Sequence, residues 1–335
     1  MQDTTVSIVM PFKNTAVFLG ECLLSIQNQK FTNWELLAVD DHSTDGSWEL
    51  LRQFSECDSR IRIFQNSGEG IIPALRTAYA HSNGQFITRM DSDDIMPENR
   101  LAWMVQALEN LGPGYLAIGQ VRYFSDRGIS NGYQRYETWL NGLTEKGDNY
   151  SEIYKECVVP SPCWMVHRFD MDAIGAFLPD AYPEDYDLTF RFYERGLQCI
   201  PCALVLHLWR DYDTRTSRTS PHYAQNNFLE IKLRYFLKLE YDIHRPLAVW
   251  GAGNKGKEIA KRLVQGKIDF YWLCDNPKKI GKSIYGKEML HYKVLRELGH
   301  PQSIITVANE EAQDMIRAYL SQLGQVSMRD YFFFC

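Results

Sequence analysis

"GQFITRMDSDDIMPENRL", residues Gly84–Leu101, runs an apolar stretch straight into crowded charge. Phe86-Ile87-Thr88 read as a buried strand. Asp91, Asp93 and Asp94 follow within four residues, with Ser92 between the first two. Like charges packed so closely raise one another's free energy unless a cation neutralises them. The run is either a solvated turn or a place where a metal ion meets an anionic ligand.

The flanking pattern bears on that choice. Upstream, "VSIVM" (6–10) is a β-branched strand ended by Pro11, and "AVFLGECLLSIQNQ" has the three-and-four spacing of a helix. "WELLAVDD", "GSWELLRQFSE", "IRIFQN" and "IPALRTAYAHS" continue strand, helix, strand, helix into the acidic run. Such alternation with short polar turns predicts a parallel α/β sheet with helices on both faces. Ligands of these sheets bind beyond the carboxyl ends of the strands. Pro11–Asn14, Asp40–Ser43 and Asp91–Asp94 are therefore expected to converge on one crevice.

The chain's 335 residues, 45% hydrophobic and 23% charged, allow a large core and suggest two domains. A net charge of -6 gives no basic patch for nucleic acid. No apolar run approaches the length of a membrane helix, and "MQDTTVSIVMPF" lacks a signal-peptide layout. These features read as a cytoplasmic protein, with contact at the inner face of a membrane left open. The eight scattered cysteines read as reduced thiols. Cys199 and Cys202 in "CIPC" have zinc or redox spacing, but without a second pair they read as buried structural residues.

From about residue 115 to 220 the pattern turns irregular and aromatic, with turn signals in "SDRGISNGYQ" and "LTEKGDNY". This predicts an acceptor-facing half of loops and a few antiparallel strands. "HYAQNNFLEIKLRYFLKLEY" reads as a long amphipathic helix, and a second α/β pattern begins at "PLAVWGAGNKGKEIAKRL". The expected domains are 1–221, a connecting helix over 222–245, and 246–335.

Four stretches occur in a telling order: "VSIVMPFKN", "LLAVDDHSTDGS", "GQFITRMDSDDIMPENRL" and "PEDYDLTFRFYERG". Over residues 5–215 the chain resembles the inverting glycosyltransferase family 2 enzymes of GT-A fold. The chemistry suits the residues. A nucleotide-diphospho-sugar loses its diphosphate more readily when Mn²⁺ or Mg²⁺ holds the phosphate oxygens, and such ions take one or two carboxylates. Side chains alternate along an extended segment, so Asp91 and Asp93 share a side. The resemblance implies that Asp93 ligates the metal, and that Asp91 lies near the ribose or a metal-bound water. Ser92 would lie among the donor contacts, and Asp94 would orient the loop or cap the turn into "MPENRL".

The resemblance also implies that an aspartate of the Asp40–Asp41 pair reads the base, fitting a uridine nucleotide, with Pro11 and Phe12 forming its pocket. Ser43 and Asp45 are alternatively caps for the next helix. Arg76 resembles a position facing the nucleotide or diphosphate, a surface ion pair being the other reading. Asp185 maps to the general base and Glu184 to its neighbour near the acceptor; Asp187 would cap or salt-bridge the helix. His207 is a candidate third metal ligand, with Arg210, Arg215 and Arg218 as candidate diphosphate contacts. Trp164 would either stack on an acceptor sugar or sit in the core.

In the second pattern Gly251, Gly253 and Gly256 have GxGxxG spacing between a strand and a helix, and Asp275 ends the next apolar stretch. This part resembles the Rossmann-like half-domains appended to some family 2 glycosyltransferases. It would bind a nucleotide or serve as a scaffold. The expected partners are a nucleotide-sugar donor and a saccharide or lipid-linked saccharide acceptor of a polysaccharide pathway; a homo-oligomer is left open. Two other classes compete. A nucleotidyltransferase would show a Gly-rich basic loop after the first strand, which "MPFKNTAVF" lacks, and a nucleotide-sensing regulator would not need Asp91, Asp93 and Asp185 intact.

Overall fold

The computed structural model describes residues 5–215 and 227–335. They form two compact units. The first holds residues 5–149 and 158–215, the second 150–157 and 227–335.

In the first unit the chain runs β1 (Val6–Phe12), α1 (Ala16–Gln27), β2 (Trp34–Asp40), α2 (Ser47–Cys57), β3 (Ile61–Gln65), α3 (Ile71–Ala80) and β4 (Phe86–Arg89). It continues through α4 (Arg100–Leu111), β5 (Tyr115–Ile118), β6 (Gln120–Phe124), α5 (Asn131–Lys146), β7 (Trp164–His167), α6 (Arg168–Ala173), α7 (Glu184–Arg195), β8 (Gln198–Ile200) and β9 (Val205–Arg210). Among the described residues the main sheet has the order β3-β2-β1-β4-β7-β5-β8, and β6 pairs with β9 beside it. β1 to β4 are parallel, and β7 runs antiparallel to β4 and β5.

β1 is buried along its whole length, as a central parallel strand must be. Val6, Ile8, Met10 and Phe12 join Leu19, Leu23 and Ile26 of α1 and Leu101, Met104 and Leu108 of α4 in one core cluster. The strand runs through Pro11 rather than ending before it. Pairing with β4 stops at Val9↔Arg89, so Pro11 lies where one neighbour has already ended and its missing N–H leaves that ladder intact. A second departure is α5, sixteen residues in a stretch whose sequence reads as turns. Ser130 Oγ accepts the Tyr133 N–H at its start, and Gly147 at φ 69° ends it, so the turn residues at both ends are caps.

The second unit continues with α8 (Asn227–Leu239), β10 (Leu247–Trp250), α9 (Asn254–Gln265), β11 (Tyr271–Cys274), β12 (Ser283–Ile284), β13 (Lys287–His291), β14 (Gln302–Ile305), α10 (Glu310–Gln322) and β15 (Tyr331–Phe333). Among the described residues its sheet order is β12-β13-β11-β10-β14-β15, parallel throughout except β12 with β13. Tyr150–Cys157 packs here despite its place in the sequence. Tyr154, 1% exposed, stacks on Phe334 at 5.5 Å and meets Phe236 and Phe332 edge-on. Lys232 Nζ donates to Lys155 O at 2.7 Å, and Arg317 pairs with Glu152 at 2.7 Å. No described helix is long and apolar enough to cross a membrane.

Candidate active site

The carboxyl ends of β1, β2 and β4 are tied together by side chains. Lys13 Nζ donates to Asp41 Oδ2 at 3.0 Å, and Ser43 Oγ accepts the Asn14 N–H at 3.0 Å. Asn14 Oδ1 accepts the Thr44 N–H, and the Thr15 and Ser92 hydroxyls are 3.0 Å apart. The three polar clusters after these strands therefore do meet. The loop after β3 joins them: Asp41 Oδ1 accepts Asn66 Nδ2 at 2.7 Å and the Gly70 N–H at 2.8 Å. Burial raises the Asp41 pKa, but its Lys13, Asn66 and Gly70 donors outweigh that and hold it low. Both oxygens of Asp41 are thus engaged. Asp40 accepts only the Ser43 N–H on Oδ1, and its other oxygen takes none of the described hydrogen bonds.

The acidic run alternates. Asp91 and Asp93 are partly exposed, while Ser92 and Asp94 are buried. Asp94 is fully enclosed, its Oδ2 2.9 Å from His207 Nε2 and its Oδ1 accepting the Arg210 N–H at 2.8 Å. Arg100 Nη1, also fully buried, lies 3.2 Å from His207 Nδ1. Arginine can only donate, so Nδ1 accepts and Nε2–H is left to donate to Asp94. Burial, then the Arg100 charge, drives the His207 pKa well below its ordinary value, so the ring is neutral. Both ring nitrogens have protein partners. In this geometry His207 offers no lone pair to a metal, and it acts instead as the partner of a buried carboxylate.

Asp93 Oδ2 accepts the Tyr212 hydroxyl at 2.8 Å, and Arg210 Nε donates to Asp93 O at 2.7 Å. Burial, and next the Asp94 charge, push the Asp93 pKa up to about 6. Arg215 lies near Asp94 and Asp93 and sits 5.0 Å over the Trp209 ring. Arg210 is sandwiched between Phe18 and Phe124 and pairs with Glu21 at 2.5 Å. Arg218 lies outside the described residues. Among the described residues no group of three or more His, Cys, Asp or Glu could hold a metal ion. Two partly exposed carboxylates, Asp91 and Asp93, remain, each with one oxygen already hydrogen-bonded, to Arg89 Nε and to the Tyr212 hydroxyl. That number suits a hard divalent cation whose other ligands are phosphate oxygens and water.

Glu184 and Asp185 open α7, where the helix dipole favours acids. Asp185 Oδ1 accepts the Tyr186 N–H at 2.8 Å. Burial, then the neighbouring Glu184 charge, push its pKa up to about 7. Glu184, 7% exposed, accepts Arg89 Nη1 at 3.1 Å. Asp187 pairs with Arg191 one turn on, at 2.8 Å. Arg76 turns toward the loop before α7, donating to Phe177 O and Leu178 O and pairing with Asp180 at 2.5 Å. Trp164 is 1% exposed, donates to Ser161 O and meets Phe192 edge-on, which makes it a core residue. Phe12 is likewise in the core, and it reaches the site through its carbonyl, which accepts the Asp41 N–H.

The family model for glycosyl transferase family 2 matches residues 7–175. The chain belongs to glycosyltransferase family 2. It is 27% identical over 256 residues to the Escherichia coli UDP-Glc:alpha-D-GlcNAc-diphosphoundecaprenol beta-1,3-glucosyltransferase WfgD, covering 74% of this chain and 90% of WfgD. It is 35% identical over 225 residues to EpsE of Bacillus subtilis (strain 168), covering 66% of this chain and 78% of EpsE. In fold it resembles S. aureus TarS 1-349 in complex with UDP-GlcNAc, with a TM-score of 0.56 at 17% identity over 71% of this chain and 68% of TarS 1-349. The mannosyltransferase PcManGT from Pyrobaculum calidifontis, in complex with GDP-Man and Mn2+, gives 0.51 at 20% identity over 70% of this chain and 63% of that one. The first unit is thus the GT-A domain of a family 2 glycosyltransferase.

Several residues that contact these acids in this glycosyltransferase escape a sequence reading. The loop Asn66–Gly70 follows a parallel strand, so the rule that gathered the other three clusters could have included it. Arg100, Tyr212 and Arg89 carry no such local signal; only the folded chain brings them to the acids. The glycine turn of the second unit has a packing explanation. A Cβ on Gly256 would strike Gly251 O, and one on Gly251 would strike Thr306 Oγ1, while Gly253 faces open space. Asp275 is exposed, and Lys279 Nζ donates to Ala252 O in that turn at 2.7 Å. Cys199 and Cys202 are buried and form no disulfide.

Proposed function

We propose that this family 2 enzyme is a metal-dependent inverting transferase that moves a sugar from a nucleotide-diphospho-sugar, a UDP-sugar, to a hydroxyl of a saccharide or lipid-linked saccharide. The observation that carries the reading is the alternation in the acidic run. Asp91 and Asp93 are partly exposed, each with one oxygen engaged, while both oxygens of Asp94 are consumed by His207 and Arg210. Mn²⁺ or Mg²⁺ on Asp93, with Asp91 beside it, would supply positive charge for the departing diphosphate. His207 is not a ligand in this reading. Asp40 is the acid with an oxygen to spare for a uracil N–H; Asp41 builds the pocket by holding Lys13, Asn66 and Gly70.

On the acceptor side Asp185 takes the hydroxyl proton as the new bond forms between that oxygen and the anomeric carbon, and the bond to the diphosphate breaks. A base works best when its pKa lies near the working pH, and Asp185 at about 7 meets that condition. UDP as the carrier is supported by two similar proteins: WfgD is named for UDP-Glc, and TarS was captured with UDP-GlcNAc. The diphosphoundecaprenol acceptor in the name of WfgD supports a lipid-linked acceptor met at the inner face of the membrane by a cytoplasmic enzyme. We assign the second unit as a Rossmann-like module; its glycines need no nucleotide to explain them, and we give that turn no ligand.

The test is release of free nucleotide diphosphate from a panel of nucleotide sugars in the presence of Mn²⁺. One donor should turn over, and Asp93→Ala should lower the rate by about a hundredfold or more. Turnover of none, or an Asp93→Ala variant as active as the wild type, would sink the reading.

A further inference from the structure

Arg89 stands between the two halves of the site. Its side chain is 6% exposed; Nε donates to Asp91 Oδ1 at 2.9 Å, and Nη1 to Glu184 Oε1 at 3.1 Å. One guanidinium thus spans a carboxylate at the end of β4 and a carboxylate at the start of α7, the latter 95 positions beyond Arg89 in the sequence. Glu184 Oε2 is buried with no partner, so Arg89 is the sole described donor to that side chain. Arg89 is itself held: its carbonyl accepts Arg100 Nη2 at 2.9 Å, and Arg100 reaches the His207–Asp94 pair through its other arm. A planar fork that bonds two acids at once fixes their spacing, which a flexible ammonium would not.

We propose that Arg89 is a positioning residue that couples the donor-side carboxylate Asp91 to the acid pair Glu184–Asp185, so that a change on either side is felt on the other; this rests on the transferase reading above. The coupling has a direction. Asp91 and Glu184 compete for one cation. When Glu184 loses its charge, Arg89 pairs more fully with Asp91, and Asp91 has less negative charge to offer a metal–nucleotide complex. Glu184 then influences nucleotide affinity without touching the nucleotide, and only through Arg89.

Calorimetric titration of the full chain with UDP, or with GDP as second probe, in the presence of Mn²⁺ tests this. Glu184→Gln should raise Kd about fivefold, the lower end of ordinary coupling between sites. Asp187→Asn, which removes an acid of the same helix that pairs with Arg191 and not Arg89, should leave Kd unchanged. In an Arg89→Met background Glu184→Gln should have no further effect. Arg89→Lys, which keeps the charge but reaches one acid at a time, should also abolish the coupling and serves if the Met variant does not fold. A merely structural role for Arg89 would lower melting temperature in every variant without this pattern in Kd. Equal effects of Glu184→Gln in wild type and Arg89 variants, or no effect in wild type, overturn the coupling alone. A wild-type protein that binds neither nucleotide overturns the donor reading and the coupling with it.

Discussion

Asp94 shows what a fully buried carboxylate requires. With no water, its two oxygens must find donors that stay in place, and His207 and the Arg210 N–H supply them. The sequence makes Asp94 one acid among three and makes His207 a candidate ligand. Their burial depends on β9 reaching the acidic run, where Ile95 bridges to Leu208, and no local pattern encodes that. His207→Ala should therefore destabilise the first unit by about 1–3 kcal/mol, since it leaves a buried carboxyl oxygen without its donor. The folded variant's Mn²⁺ dependence should match wild type, which separates a structural partner from a ligand. Asp185 is the opposite case. If it is the base of the proposed reaction, its carboxyl must be ionised to accept a proton, so transfer should rise about tenfold per pH unit below pH 7 and level off above it. Asp185→Asn should cost about a hundredfold or more in kcat with little change in nucleotide binding. A carboxyl whose pKa is raised on folding contributes stability below its unfolded pKa and loses it as pH climbs through the folded one. Asp185→Asn should accordingly be more stable than wild type at about pH 8 and not at about pH 4, as urea titrations would show.

At the scale of elements, the parallel strands β1, β2 and β4 are legible because burial on both faces forces continuous apolar runs that short polar turns punctuate. The site clusters are legible for the same reason, being the residues that such strands deliver at their carboxyl ends. α5 is not. Asn, Glu, Thr and Lys interrupt its apolar positions, and its end caps look like turns in isolation. Arg76 also illustrates the limit. It projects from helix α3, and the backbone carbonyls it meets come from a loop about a hundred residues later, with Asp180 of the same loop as its ion-pair partner. In the second unit the β10–α9 turn packs helix against strand so closely that Gly256 has no room for a methyl group. Gly256→Ala should cost about 1–3 kcal/mol by overpacking, despite Ala being the better helix former. Chemical denaturation followed by Trp250 and Trp272 fluorescence would report it, and a neutral or stabilising result would mean the turn can shift.

For the molecule as a whole, sequence order and spatial membership diverge at Tyr150–Cys157, which belongs to the second unit while residues on both sides of it belong to the first. Composition changes little across this segment, so a linear reading sees one domain running to about residue 221. Tyr154 fills a slot among Phe236, Phe332 and Phe334. A fragment of residues 222–335 lacks that ring, and losing a buried aromatic costs about 3–5 kcal/mol, a large share of the roughly 5–15 kcal/mol that holds a typical domain. The fragment should unfold without a sharp transition, whereas the full chain should not; near-UV circular dichroism against urea distinguishes the two.

The same excursion bears on how the protein is made. Tyr154 leaves the ribosome well before the strand and terminal phenylalanines that will enclose it, about 180 residues later in the chain. At ordinary synthesis rates of about 5–20 residues per second, that is a wait of roughly ten to forty seconds with an apolar ring uncovered. A contact of such long range also slows closure once its partners arrive. Tyr150–Cys157 is thus a stretch of the nascent chain that stays uncovered on one side until β15 has been made.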